Sequence, residues 1–263
     1  MSSATVSLVS DSPEVGRASR PLPDDGNGWS IAGRPARLSV VVVDALVDAI
    51  VSGRYPSGSL LPPEPVLCQS FDVSRSVVRE AMKLLEEKGL ARARQGHGTT
   101  ISPPDEWNML DPAVLDAAIR ADETMQILDA LVDVRVALES AMARTAAQSM
   151  SDADLAELGE LLEEMTSQLH DPERYLATDA RYHDFIMRCS GNRLGRSVIR
   201  TIHPHARASS RYNPPADEES IQLAHAGHTA IYEQLRRRDP EAAAAAMQEH
   251  IRKTWRLRRP KGG

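Results

Sequence analysis

At roughly 100–200 residues per domain, a chain of 263 residues is expected to hold two folded units and a tail. Hydrophobic residues make up 41% of it and aromatics only 4%, so the interior must be built from Ala, Leu, Val, Ile and Met, which favours helix packed on helix. The net charge of −6 argues at first against a nucleic-acid partner, but residues 34–101 hold nine Lys/Arg against seven Asp/Glu, a local +2 that leaves −8 for the remainder.

Residues 1–35 are rich in Ser, Asp, Pro and Gly without an apolar period and are expected to form a disordered tail. From Leu38 the stripe Val41, Ala45, Ile50, Val51 predicts a helix over 38–52 that stops at Gly53. Pro62 and Pro63 open a second, shorter helix that stops near Phe71. Ser74 stands as the N-cap of a third, RSVVREAMKLLEEKG, with Gly89 as its exit signal. LARARQGHGTTI then reads as two short strands around a glycine-containing turn. Three helices and a hairpin over 36–103 make a winged helix-turn-helix, and SPPDEWNMLDP reads as a linker over 104–111.

The rest is almost continuously helical. Turn signals divide it into helices at 112–121, 123–149, 152–169, 173–190, 192–212, 217–238 and 240–257, an all-α bundle over 112–258. Ser151 with Asp154 resembles a capping box, Asn192 follows Gly191 as a cap, and Pro240 occupies a first turn. No run approaches the ~20 apolar residues that span a bilayer, and no signal segment opens the chain, so a cytoplasmic protein is expected. Cys68 and Cys189 stand singly in helical stretches, which points to neither a disulfide framework nor a Cys-based zinc site.

The stretch LLPPEPVLCQSFDVSRSVVREAMKLLEEKGLARARQGHGTTI closely resembles the winged-helix motif of the GntR family of bacterial regulators. Its parts are a Pro-Glu helix start, a Val-Ser-Arg turn, a Val-Arg-Glu-Ala helix, a Glu-x-x-Gly-Leu exit and a Gly-x-Gly-Thr wing. Arg75 and Arg79 lie four apart on one face near the positive end of the helix that would enter the major groove. Ser74 and Ser76 can offer hydroxyls to phosphate, and Gln95, Gly96, His97, Gly98 and Thr99 form a wing whose glycines permit close approach. An isolated R-x-x-x-R would more often be solvated, with Arg79 paired to an acid; the surrounding motif favours recognition. GntR proteins often carry Arg after the Pro-x-Glu start, where this chain has Pro65, so operator preference is expected to differ.

The linker and bundle resemble the FCD ligand-binding domain of the FadR subfamily. Asp179 and His183, four apart in DARYH, share a helix face on which both can reach one cation. The resemblance adds His228 and His250, implying a four-residue site for zinc, nickel or manganese with positions left for an effector carboxylate. It also implies that Arg135 receives that carboxylate, the reading favoured over the alternative of a bridge to Asp133 or Glu139 at the surface. His225 shares a face with His228, and His203 and His205 flank Pro204; none is assigned to the site. The run EWNMLDPAVLDAAI leans towards family members associated with sugar acids.

The expected function is a homodimeric transcription repressor on a palindromic operator, released by a small carboxylate. Two rival readings stand beside it. A metal-dependent hydrolase has open coordination in its favour but no evident general base, no HExxH and no Gly-x-Ser-x-Gly elbow. A constitutive DNA-binding dimer would use the bundle and its metal structurally.

Overall fold

A computed structural model of the chain describes residues 33–94, 96–212 and 218–259. Most of the expected tail lies outside them. The first helix, α1 (Gly33–Val51), begins five residues before the predicted Leu38, so 33–35 are helix rather than tail. The helices α2 (Glu64–Phe71) and α3 (Arg75–Glu87) follow, then an antiparallel hairpin of β1 (Ala91–Arg94) and β2 (Gly98–Ile101) with Arg92 opposite Thr100. Leu60 adds a bridge to Thr100, closing the hairpin onto the segment before α2.

Ser74 does hold the N-cap position of α3, but its hydroxyl makes no cap bond; it lies 2.9 Å from the Ser76 hydroxyl instead. Gly89 is needed for two reasons. Its φ of 73° is left-handed, and a β-carbon there would collide with the Glu106 carbonyl oxygen. That contact seats the linker, a 3-10 turn over Pro104–Glu106, against the exit of α3. Trp107 Nε1 donates to the Ser102 carbonyl at 3.1 Å, and Lys88 pairs with Asp111 at 2.6 Å.

The bundle comprises α4 (Pro112–Ala121), α5 (Gln126–Ser149), α6 (Asp152–Ser167), α7 (Pro172–Cys189), α8 (Arg193–Ala208), α9 (Glu218–Arg236) and α10 (Pro240–Arg258). The expected capping box at Ser151–Asp154 forms, and the Asn192 side chain accepts from the Gly195 amide. Two boundaries move. The helix predicted from 123 begins at Gln126, because Asp122 accepts from the Thr124 and Ile127 amides while Met125 is left-handed at φ 66°. The helix predicted to reach 212 ends at Ala208, where Ser209 turns extended.

Two hydrophobic cores result, and α4 belongs to both. Its Val114 and Ala117 complete the core of the winged helix with Val42, Leu46, Val78 and Leu85. Leu115 and Ile119, on the other side of the same helix, join the bundle core around α5, where Leu128, Met142, Leu158 and Ile186 meet. Arg120 of α4 adds a 2.6 Å ion pair to Asp48 of α1. The helical bundle therefore grips the winged-helix unit through one amphipathic helix.

Candidate metal centre and DNA-reading face

The i, i+4 pair on α7 places Asp179 and His183 on one face, and α9 and α10 bring His228 and His250 level with them. One donor atom from each of the four lies within 4.8 Å of the others. His183 Nε2 is 3.2 Å from His228 Nε2 and 3.3 Å from His250 Nε2, and His228 Nε2 is 3.0 Å from Asp179 Oδ1. Donors held about 2.0–2.2 Å from one ion would stand roughly 3.0–3.5 Å apart. All three histidines are buried.

Neighbouring groups set the ring orientations. His183 Nδ1 lies 2.7 Å from Glu139 Oε2 on α5, and His228 Nδ1 lies 3.1 Å from the Tyr175 hydroxyl. With each Nδ1 turned to one of these neighbours, His183 and His228 present Nε2 to the shared centre, an arrangement that suits a cation. The His250 Nδ1 packs against Gly227, where no β-carbon would fit. Burial pushes His228 down to about 4, and burial followed by the charges of His228 and His183 holds His250 well below the usual histidine value. Burial would raise Asp179, yet the His228 hydrogen bond and the charges of His183, His228 and Arg207 keep its carboxyl well below the ordinary range. The residues present thus fit a divalent cation: three imidazoles, of which burial disfavours the charged form of His228 and His250, and an ionised carboxylate.

Arg135 is buried rather than at the surface. Its Nε donates to Glu139 Oε1 at 2.6 Å and its Nη1 to the Tyr212 hydroxyl at 2.7 Å. Both partners are inside the bundle, and the pair Arg135–Glu139 leads directly to His183. The open space beside the metal centre lies elsewhere, in a cleft of about 670 Å³ between α7 and α8. His183 and Asp184 line one wall; Arg200, His203 and Arg207 line the other. Arg207 Nη2 donates to the Leu176 carbonyl, while its Nη1 is buried without a hydrogen-bond partner, 3.7 Å from Asp179 Oδ2.

Sequence reading missed Arg207. The signal was there in the spacing Arg200, His203, Arg207, one face of a helix, but nothing in one dimension says which helix faces the Asp/His cluster. His203, left unassigned, sits in the cleft wall 3.5 Å from the Tyr212 hydroxyl, and burial with the charge of Arg135 holds it well below the usual value. His205 points the other way, with Nδ1 2.8 Å from Asp116 of α4. His225 lies outside the cluster, its Nε2 3.1 Å from the Thr166 hydroxyl.

At the other end of the molecule, Arg75 and Arg79 are exposed on α3 as the spacing predicts. Arg79 is not simply solvated: its Nε donates to Glu64 of α2, 3.0 Å from Oε2, so the second helix orients it. Pro65 occupies the turn beside that glutamate. The wing turn is held by the His97 amide donating to the Arg94 carbonyl at 2.9 Å, with Gly96 and Gly98 at φ 77° and 81°. Thr99 belongs to β2 and its carbonyl accepts from the Leu61 amide; Gln95 lies outside the described residues.

A winged helix joined to an all-helical bundle defines the class of two-domain bacterial transcription regulators. Residues 38–101 match the family of bacterial regulatory proteins called gntR, and residues 130–253 match the FCD domain. The galactonate operon transcriptional repressor of Escherichia coli K12 is 31% identical over 205 residues, covering 78% of this chain and 90% of that protein. The repressor NanR of Citrobacter rodentium is 27% identical, covering 87% and 90% respectively. Lar of Listeria monocytogenes shares the fold with a TM-score of 0.54 at 19% identity, over 84% of this chain and 96% of that one. The chain belongs to the GntR family, with the winged-helix and FCD architecture of its FadR type, and is a transcription regulator, not an enzyme. No helix among the described residues is long and apolar enough to cross a membrane.

Proposed function

We propose that this chain is a cytoplasmic, homodimeric repressor of a metabolic operon, released from a palindromic operator by a small carboxylate of the sugar-acid class. Its cofactor is a divalent cation, zinc, nickel or manganese, held by Asp179, His183, His228 and His250. The observation that carries this reading is the position of His183, which belongs at once to the ligand cluster and to the wall of the cleft. The function of the Escherichia coli relative, repression of a galactonate operon, supports the sugar-acid class.

A cation there would supply a Lewis-acidic point that accepts a carboxylate oxygen. The chain's own residues do the rest. Glu139 holds the His183 ring, and the Arg207 guanidinium, which lines the cleft 3.7 Å from Asp179, offers a cationic partner for a carboxylate. Arg135 supports from behind by fixing Glu139, and reaches an effector only if Tyr212 yields.

Transmission follows the cleft's far wall. Helix α8 carries His203 and Arg207 on the effector side and His205 on the α4 side, and Arg211 donates to the Ile119 and Arg120 carbonyls at the end of α4. A ligand that moves α8 therefore moves α4, whose other face belongs to the winged-helix core. In the dimer this changes the spacing of two recognition helices, where Ser74, Arg75, Ser76 and Arg79 meet the major groove and Gln95 to Thr99 the backbone or minor groove.

Titrating operator DNA into full-length protein, with and without metal and a panel of sugar acids, tests the reading. Operator affinity should change with the acid only when metal is present, and bound operator should change acid affinity by the same factor. Operator affinity indifferent to every metal and acid would leave a constitutive DNA-binding dimer with a structural cation.

A further inference from the structure

The cleft between α7 and α8 is long as well as cationic, and its charges are unequally paired. Arg207 stands at the metal end with one unpartnered donor. Seven residues earlier on the same helix, about 10 Å along its axis at ~1.5 Å per residue, Arg200 lines the opposite end. Arg200 is exposed and has no hydrogen bond or ion pair among the described residues. The acid closest to it in the cleft, Asp184, is already satisfied: Arg196 grips both its oxygens, at 2.8 and 2.6 Å. Arg181, also in the wall, is held by Glu164 at 2.9 Å. Two guanidinium groups thus line the cleft without a hydrogen bond to any carboxylate, Arg207 standing 3.7 Å from Asp179 at one end and Arg200 at the other, with His203 between them.

Pro204, in the same wall, cannot donate to the Arg200 carbonyl, so that oxygen is left without its helical partner beside the cleft. Both ends of the cleft offer cations.

We propose that the effector is a linear dianion: an acid whose first carboxylate meets Arg207 at the metal end and whose second anionic group, a carboxylate or a phosphate at the far end of a short hydroxylated chain, pairs with Arg200. This rests on the reading of the cleft as the effector site, and it names a narrower ligand class. A monoanionic sugar acid would satisfy Arg207 and leave Arg200 idle. Binding at Arg200 also draws on α8 two turns from Arg207, so a dianion loads that helix at two points.

Calorimetry on the metal-loaded full chain compares matched pairs: gluconate with glucarate and 6-phosphogluconate, and galactonate with galactarate. The dianion of at least one pair should bind about tenfold or more tightly than its monoanion, and this advantage should shrink as salt is raised. Arg200→Ala should abolish the advantage while leaving the monoanion's affinity and the thermal midpoint unchanged, because Arg200 holds nothing else. Arg207→Gln should weaken both members of a pair alike. Equal affinities within every pair, or an advantage that survives Arg200→Ala, overturns the dianion and leaves the effector site standing. Failure of all five acids to bind overturns both.

Discussion

Glu139 and His183 lie 2.7 Å apart, Oε2 to Nδ1, and through that contact α5 decides which nitrogen of a ligand on α7 faces the centre of the site. Glu139 is completely buried and spends its other oxygen on Arg135. Burial would raise its pKa, but Arg135 and His183 hold it well below the ordinary carboxylate value, so the bond is charge-assisted. Glu139→Gln keeps the shape and removes the charge. Metal affinity should fall about 10–100-fold by chelator competition, as expected for a group that orients a ligand. Unchanged affinity would show that the His183 ring is held by packing alone.

The metal set itself is tested by content. Elemental analysis should find one divalent ion per chain, and the double variant His228→Ala/His250→Ala should lose it on dialysis against a mild chelator. Ion bound at 100 times its dissociation constant should add about 2.7 kcal/mol of stability, read as a shift of the thermal midpoint. Retention of full metal content by the variant would refute the assignment.

Stripped of metal, the protein should weaken in mild acid. Burial lowers His228 from 6.5 to about 4, so the unfolded chain takes up a proton that the folded chain refuses. Above pH 6.5 both states are neutral there and no penalty applies; below it, stability falls as pH drops towards 4. At ~1.4 kcal/mol per pH unit, His228 alone should cost about 2 kcal/mol by pH 5, with His250 acting in the same direction. Urea midpoints of the apoprotein at pH 7.5 and pH 5 check this, and equal midpoints would contradict it.

On the DNA side, Arg75→Ala and Arg79→Ala should each weaken operator binding by about 1–3 kcal/mol without altering the melting temperature. Because Glu64 orients Arg79, Glu64→Gln should relax base preference at one operator position more than it lowers non-specific affinity. Gel-shift titrations against singly substituted operators decide, and wild-type affinity in both arginine variants would remove α3 from recognition.

Coupling between the ends should depend on the contact of His205 with Asp116, since it joins α8 to α4. Asp116→Ala should leave operator and effector affinities each near wild type when measured alone. The factor linking them, expected within roughly 5–150, should fall towards one. A factor that stays intact would place transmission on another path, such as the Arg211 contacts.

The sequence alone determined the elements and most of the site's membership. Periodicity and caps located α4, α6 and α10 within about two residues, because local hydrogen bonds at Asp111, Ser151 and Asp239 specify those starts without help from elsewhere. The pair Asp179 and His183 was legible for the same reason: i and i+4 share a face in any helix. Helix ends ruled by distant or unusual geometry were not, as at Met125, whose left-handed backbone no propensity announces. Nor could a one-dimensional pattern show that Arg135 turns inward to Glu139 and Tyr212 while Arg207 approaches Asp179 beside the cleft. Which cation is paired and which is available depends on the neighbours that packing supplies. Here those neighbours, Glu139 on α5 and Leu176 on α7, lie on helices that only the tertiary fold brings against the site.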